Sequence, residues 1–219
     1  MNVVITGGSG MIGSLILKQC LENENITTVR SFVRKPTGLD HSKLIEIVME
    51  DFENLAGLEG YFTDVSVLFF CLGVYTGQVP DPLFRKITVD YPVAFGRMLG
   101  KKSPNATFCL LSGAGADRTE KSRASFARYK GMAENSIASM QLKFHSFRPG
   151  YIYPDESRKE PNVGYTIMKY LYPLIKLLGN KYSIRSTQLA NAIFNVGLNG
   201  SDQEVLENDE ILKCFKEVR

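Results

Sequence analysis

Cysteine is scarce in this chain: Cys20, Cys71, Cys109 and Cys214 are the only four in 219 residues, and no two form a C-x-x-C pair. That spacing excludes a disulfide framework and a thiolate zinc site, and no metal is expected. Cys71 and Cys109 fall in apolar, strand-like runs, where a free thiol packs as a small hydrophobe. They suit a reducing compartment. An excess of either charge is lacking too: 26 basic residues against 23 acidic ones leave a net +3. With no long basic run, there is no footing for nucleic acid or an anionic membrane surface. The longest apolar stretch, residues 165–178, contains Lys169 and Lys176 and is too short to span a bilayer. The first apolar run starts beside Met1 and leaves no room for a signal peptide, so a cytoplasmic location is expected. Repeats and low-complexity linkers are absent as well.

What is present is an ordinary globular composition, 44% hydrophobic and 22% charged. It is enough for a single domain over residues 1–219. The most informative stretch is the first sixteen residues. Val3, Val4 and Ile5 read as a buried parallel strand. Gly7, Gly8, Ser9 and Gly10 break it, and a helical pattern opens by Gly13. Two glycine motifs are satisfied together, Gly8-x-Gly10-x-x-Gly13 and Thr6-Gly7-x-x-Gly10-x-x-Gly13. In a strand–turn–helix setting such glycines permit a tight turn, close approach of backbone N–H groups to a pyrophosphate, and close helix packing. The helix N-terminus then meets the phosphates with its positive end. The bland alternative is a glycine-rich βα turn.

The pattern then alternates. Strands are expected at residues 26–33, 44–49, 65–71, 107–111 and 144–147, and helices at 11–22, 84–99 and 122–140. Pro92 falls inside the second helix as a kink or a new first turn. This order predicts an α/β doubly wound parallel sheet, a Rossmann fold. Beyond Gly150 the alternation relaxes. A loop over 151–159, helices over 162–178 and 187–198, a short strand near 204–206 and a tail helix over 210–216 are expected. Residues 151–185 then form a small cap over a substrate pocket at the carboxyl ends of the strands.

The second strand ends Val33-Arg34-Lys35-Pro36, with no acid where one would hold the ribose 2′-hydroxyl of NAD. Arg34 can pair with a 2′-phosphate and Lys35 adds charge, which points to NADP; the alternative is a solvated basic turn. Asp51, after the third strand, can face an adenine amino group or cap the next helical turn. Gly73, after the fourth strand, allows close approach of a ligand.

These pieces carry a resemblance: the glycine segment 6–13, Phe32-Val-Arg-Lys35, Glu50-Asp-Phe52, Phe70-Cys-Leu-Gly73, Leu110-Leu-Ser-Gly113, Tyr129-Lys-Gly-Met-Ala-Glu134 and Phe147-Arg-Pro-Gly150. In this order they resemble an atypical, epimerase-like short-chain dehydrogenase/reductase. The similarity is closest to the branch of Tat-interacting oxidoreductase-like and NmrA-like proteins. The resemblance implies that Gly7, Gly10, Met11, Ile12 and Gly13 hold the pyrophosphate, Arg34 the 2′-phosphate, and Asp51 with Phe52 the adenine. It implies Cys71, Leu72 and Gly73 at the ribose and nicotinamide, and Pro149 and Gly150 in a turn beside the nicotinamide. Ser112 matches the family serine that orients a carbonyl, and Lys130 matches the lysine that binds the nicotinamide ribose. The family tyrosine is missing: four residues before Lys130 stands Phe126. Tyr129 is the adjacent phenol, about 100° away around the helix. Tyr75, Tyr151 and Tyr153 lie near expected strand ends. The resemblance thus implies hydride transfer with a small carbonyl, quinone, flavin-like or sugar-nucleotide substrate. Its alternative is a dinucleotide-responsive binding protein that has lost catalysis. It also implies a homodimer that pairs through the helices at 84–99 and 122–140.

Overall fold

Val3, Val4 and Ile5 are fully buried at the centre of β1 (Asn2–Thr6). A strand with two apolar faces must be covered on both sides, and the chain supplies both layers. In the computed structural model, which describes residues 1–155 and 182–216, β1 lies between β2 (Thr28–Val33) and β4 (Val65–Phe70). All pairings are parallel, with Val4 opposite Arg30 on one side and Leu68 on the other. Outside them run β3 (Leu44–Val48), β5 (Thr107–Leu111), β6 (Lys143–Arg148) and β9 (Val205–Glu207), in the order β3-β2-β1-β4-β5-β6-β9. This is the doubly wound sheet that the alternation predicts. The order reverses between β1 and β4, and a crevice opens there at the carboxyl ends of the strands.

One face is covered by α1 (Met11–Glu22), α5 (Ser186–Asn199) and α6 (Asn208–Lys216). The other is covered by α3 (Tyr91–Lys102) and α4 (Ser125–Ala138) over a phenylalanine cluster. Phe95 of α3 sits at its centre, with ring centroids 5.1 Å from Phe32, 5.5 Å from Phe62 and 5.7 Å from Phe70.

The structure departs from the sequence expectations, or adds to them, at several elements. The single helix expected over 84–99 is α2 (Asp81–Arg85), a π-helical turn (Lys86–Asp90) and then α3, with Pro92 in the first turn of α3. Proline has no N–H to give, and a wider turn before it relieves the clash of its ring. The start of α4 moves from 122 to Ser125, because the Asp117 carboxylate holds the Ser122 N–H at 2.8 Å in the preceding loop. Where a loop was expected, β7 (Tyr151–Tyr153) pairs in parallel with β8 (Ser183–Arg185). Finally, α5 is capped from a distance. The Asp155 carboxylate accepts from the Thr187 N–H at 2.9 Å, the Thr187 hydroxyl at 2.6 Å and the Ser186 hydroxyl at 3.1 Å. The helix expected over 162–178, and most of the 151–185 cap, lie outside the described residues. Among the described residues no helix is long and apolar enough to cross a membrane. No cluster of three or more His, Cys, Asp or Glu that could hold a metal occurs among them either.

Candidate functional site

The turn from β1 into α1 is built from close backbone approaches. Gly7 has φ +74°, a conformation that favours glycine, and a Cβ there would lie 2.7 Å from the Cys71 carbonyl. A Cβ on Gly13 would overlap the Gly7 carbonyl oxygen. The Gly10 N–H closes the turn on the Gly7 carbonyl at 2.8 Å. Gly10 is the N-cap of α1, with no side-chain cap and no acid in the first turn. The N–H groups at Met11, Ile12 and Gly13 therefore begin a helix whose positive end is met by no side chain of its own. Beneath the loop, Thr6 and Ser31 are fully buried, and their hydroxyls have no hydrogen-bond partner among the described residues. The cradle and the uncapped helix end suit the phosphates of a dinucleotide.

The other expected cofactor residues lie along the same carboxyl edge. Arg34 and Lys35 are exposed at the end of β2, and neither makes an ion pair among the described residues. Asp51 is exposed after β3. Its carboxyl sits below the usual range because it accepts from the Glu53 N–H at 3.1 Å and from Lys86 Nζ at 3.1 Å. Phe52 is different: its ring is 1% exposed and stacks on Phe95 at 6.2 Å. Its ring belongs to the core and is not available to stack on an adenine. Cys71, Leu72 and Gly73 run past Gly7, with the Cys71 thiol pushed up to about 12 by burial. Pro149 and Gly150 follow β6. The Pro149 carbonyl accepts from the Ala114 N–H at 3.0 Å, and the Gly150 N–H donates to Asn208 Oδ1 at 2.8 Å.

The groups expected to carry chemistry are separated by their bonds. Ser112 donates to Glu134 Oε1 at 2.6 Å, which turns its hydroxyl beneath α4. The Tyr129 phenol donates to Asp81 Oδ2 at 2.6 Å and its ring packs on Phe84. It is committed to Asp81 rather than to the amine beside it in sequence. The ring of Phe126 lies over Gly113, so that a Cβ on that glycine would come 2.6 Å from Phe126 Cζ. Lys130 Nζ donates to the carbonyl of Leu111, the last residue of β5, at 3.0 Å, at the carboxyl edge of the sheet. Burial lowers its pKa to about 8, partly offset by Glu134 and Cys71.

The sequence reading missed the centre of this arrangement. Glu134 is fully buried and accepts from Ser112, from Ser146 at 2.8 Å, from Arg118 Nε at 2.9 Å and from Arg148. The two arginines continue outward to Glu204 at 2.6 Å and Glu207 at 3.0 Å. The available signal was Glu134 four residues after Lys130, on one face of the helix. The Asp81 partner of Tyr129 and the Asp155 cap carried no local signal. A groove of about 450 Å³ along α3, lined by Glu53, Leu55, Asp90, Arg97 and Lys101 among others, shares no lining residue with the crevice.

Residues 7–196 match the sequence profile of a family described as NAD(P)H-binding. Among curated proteins, the chain is similar to the mitochondrial protein fmp52 of Emericella nidulans, 23% identical over 217 residues, covering 95% of this chain and 92% of that protein. Among solved structures it is similar to Gre2 of Candida albicans in complex with NADPH, with TM-score 0.72, 14% identity, and 95% and 78% of the two chains covered. It is also similar to WbmH of Bordetella bronchiseptica in complex with NAD+, with TM-score 0.70, 16% identity, and 94% and 74% covered. MoeE5 in complex with UDP-glucose and NAD gives TM-score 0.68 at 16% identity, covering 100% of this chain and 82% of that one. At these identities the structures show a shared fold.

Proposed function

Because the chain belongs to the NAD(P)H-binding family, we propose that it is an NADP(H)-dependent oxidoreductase of the atypical short-chain dehydrogenase type. The observation that carries this reading is the glycine cradle under the uncapped N-terminus of α1. In it the backbone at Gly7, Gly10, Met11, Ile12 and Gly13 binds the pyrophosphate. Arg34 and Lys35, exposed where a ribose would end, bind the 2′-phosphate. Asp51 faces the adenine, with Phe52 packed in the core behind it. Cys71, Leu72 and Gly73 line the ribose and nicotinamide, and the Pro149–Gly150 turn closes that end. The bound dinucleotide supplies or takes up a hydride. Lys130 holds the nicotinamide ribose, and Ser112 orients a carbonyl only if it exchanges Glu134 for substrate. Tyr129, held by Asp81, takes no part. The substrate is a small carbonyl, quinone, flavin-like compound or sugar nucleotide; a structural neighbour bound to UDP-glucose supports the last class. Location in the cytoplasm and pairing through α3 and α4 belong to the same proposal, with mitochondria as the alternative that the fmp52 likeness supplies.

Purified protein is expected to bind NADPH and to consume it with one of these substrate classes. Arg34→Ala should weaken NADPH about tenfold, the scale of a charge-assisted phosphate contact, and leave NADH unchanged. An unchanged NADPH dissociation constant would remove the 2′-phosphate from Arg34.

Phe126 favours a second reading, a dinucleotide-responsive binding protein with little or no turnover. Tight NADPH binding with no consumption across the panel would select it. Phe126→Tyr separates the two further. It places a hydroxyl beside Gly113, at the end of β5, and a working general acid is worth roughly 10²–10⁴-fold in rate. Turnover in this variant where the wild-type chain has little would show a site short of one phenol.

A further inference from the structure

We infer that Lys130 is itself the proton donor of this site, taking the place of the absent phenol; the inference rests on the NADP(H) reading above. Three observations lead to it. First, the amine is in the right place. Nζ lies 3.0 Å from the Leu111 carbonyl, at the carboxyl end of β5. Cys71, which interacts with it electrostatically, follows β4 and lies against Gly7. Second, the other groups at the family's catalytic positions are committed elsewhere. Ser112 gives its hydrogen to buried Glu134, Tyr129 gives its own to Asp81, and Phe126 has none to give. Third, the surroundings make the ammonium a better acid than an ordinary lysine. Burial lowers its pKa to about 8. The groups that act on it are Glu134, one turn along α4, and the Cys71 thiol at the end of β4. Glu134 raises the value, yet four other side chains already share that carboxylate. It therefore attracts the ammonium without forming an ion pair with it.

The step balances as follows. The substrate carbonyl carbon gains a hydride, with its electron pair, from a reduced nicotinamide dinucleotide as the C=O π bond opens. The oxygen takes a proton from Nζ–H of Lys130, and that N–H bond breaks toward nitrogen. The lysine is left as a neutral amine and regains its proton from solvent. An acid with a pKa near the working pH is well suited to this task. Below about 8 the amine carries the proton it must give, so reduction is supported there and falls as pH rises through that value. The reverse oxidation, which needs the neutral amine, rises over the same interval.

The test uses the full chain and two readouts. In the first, lysine amines are reductively methylated with a carbon-13 label and followed by NMR against pH. One signal is expected to titrate near 8, well below the rest, and to be absent from Lys130→Arg. This needs neither substrate nor turnover. In the second, Lys130→Arg keeps the cation but holds its proton too tightly to donate. At saturating NADPH it should reduce substrate at least ~10²-fold more slowly, without the fall near pH 8, whatever the change in affinity at the ribose contact. An unchanged circular dichroism spectrum and a cooperative thermal transition report that this variant is folded. Lysine signals that all titrate together above pH 10 overturn the proposal. So does a Lys130→Arg enzyme with the wild-type rate and pH profile. Both results leave the cofactor reading standing, whereas failure of the wild-type chain to bind NADPH removes that reading and the inference with it.

Discussion

Glu134→Ala is expected to lower the unfolding free energy by about 3–5 kcal/mol, the scale for breaking a buried ion pair by removing one partner. The carboxylate is fully buried and accepts from Ser112, Ser146, Arg118 and Arg148. Alanine takes from the two arginines the carboxylate they share and leaves each with only its outer partner, Glu204 or Glu207. Glu134→Gln keeps the shape and some of the hydrogen bonds but not the charge, so it should fall between the two. Burial by itself would raise the carboxyl pKa. The Arg148, Ser112 and Ser146 hydrogen bonds and the Arg148 charge outweigh it, and the folded value lies below the ordinary 4.5. A depressed carboxylate stabilises fully above its unfolded pKa and loses that contribution as pH falls through the folded one. The gap between wild-type and Glu134→Ala in urea unfolding should therefore be widest at neutral pH and shrink below about 4.5. A loss under 1 kcal/mol at pH 7 would mean that the network contributes little.

Gly13→Ala is expected to abolish measurable cofactor binding, a loss on the order of 100-fold or more. Its Cβ would overlap the Gly7 carbonyl oxygen and lie 2.7 Å from the carbonyl carbon. Gly7 cannot retreat, because its own Cα already faces the Cys71 carbonyl across β4 with no space for one more atom. Either α1 lifts away from β1 or the loop flattens, and both spoil the cradle. A stability loss of about 1–3 kcal/mol should accompany it, as for other overpacked sites. Gly8→Ala is the matched control. Its Cβ would meet only the Ser31 hydroxyl at 3.1 Å and a Leu17 methyl at 3.3 Å, side-chain ends that can give way. Isothermal titration with NADPH on the two variants decides the matter. Equal affinities would show that the loop does not touch the cofactor.

These two sites differ in how far the sequence revealed them. The glycine turn is a local device: its residues are neighbours, its spacing encodes its geometry, and α1 lies at Met11–Glu22 as expected. The long apolar strands were equally plain, with β5 at Thr107–Leu111 to the residue. The Glu134 network is non-local. Its partners come from 12 to 22 residues away along the chain, through two strand ends and a loop, and nothing in Tyr129-Lys-Gly-Met-Ala-Glu134 announces them. The bond between Tyr129 and Asp81 is hidden for the same reason, since Asp81 lies 48 residues upstream. The β7–β8 ribbon escaped because three-residue strands are too short to show a period, and their pairing joins Tyr151 to Ser183 across a long excursion of chain.

The sheet order carries a consequence for how the protein is made. β6 is flanked by β5 on one side and β9 on the other, and β9 is synthesised after the other six strands of its sheet. Until Val205 emerges, the nascent sheet ends on β6, with the backbone of Ser146, Phe147 and Arg148 unpaired along its outer edge. Arg118 and Arg148 wait over the same interval for Glu204 and Glu207. An open strand edge, with its N–H and C=O groups unpaired, is a template for another chain. Between the synthesis of β6 and that of β9 there is thus a window in which the open edge is free to pair with a neighbouring chain on the polysome.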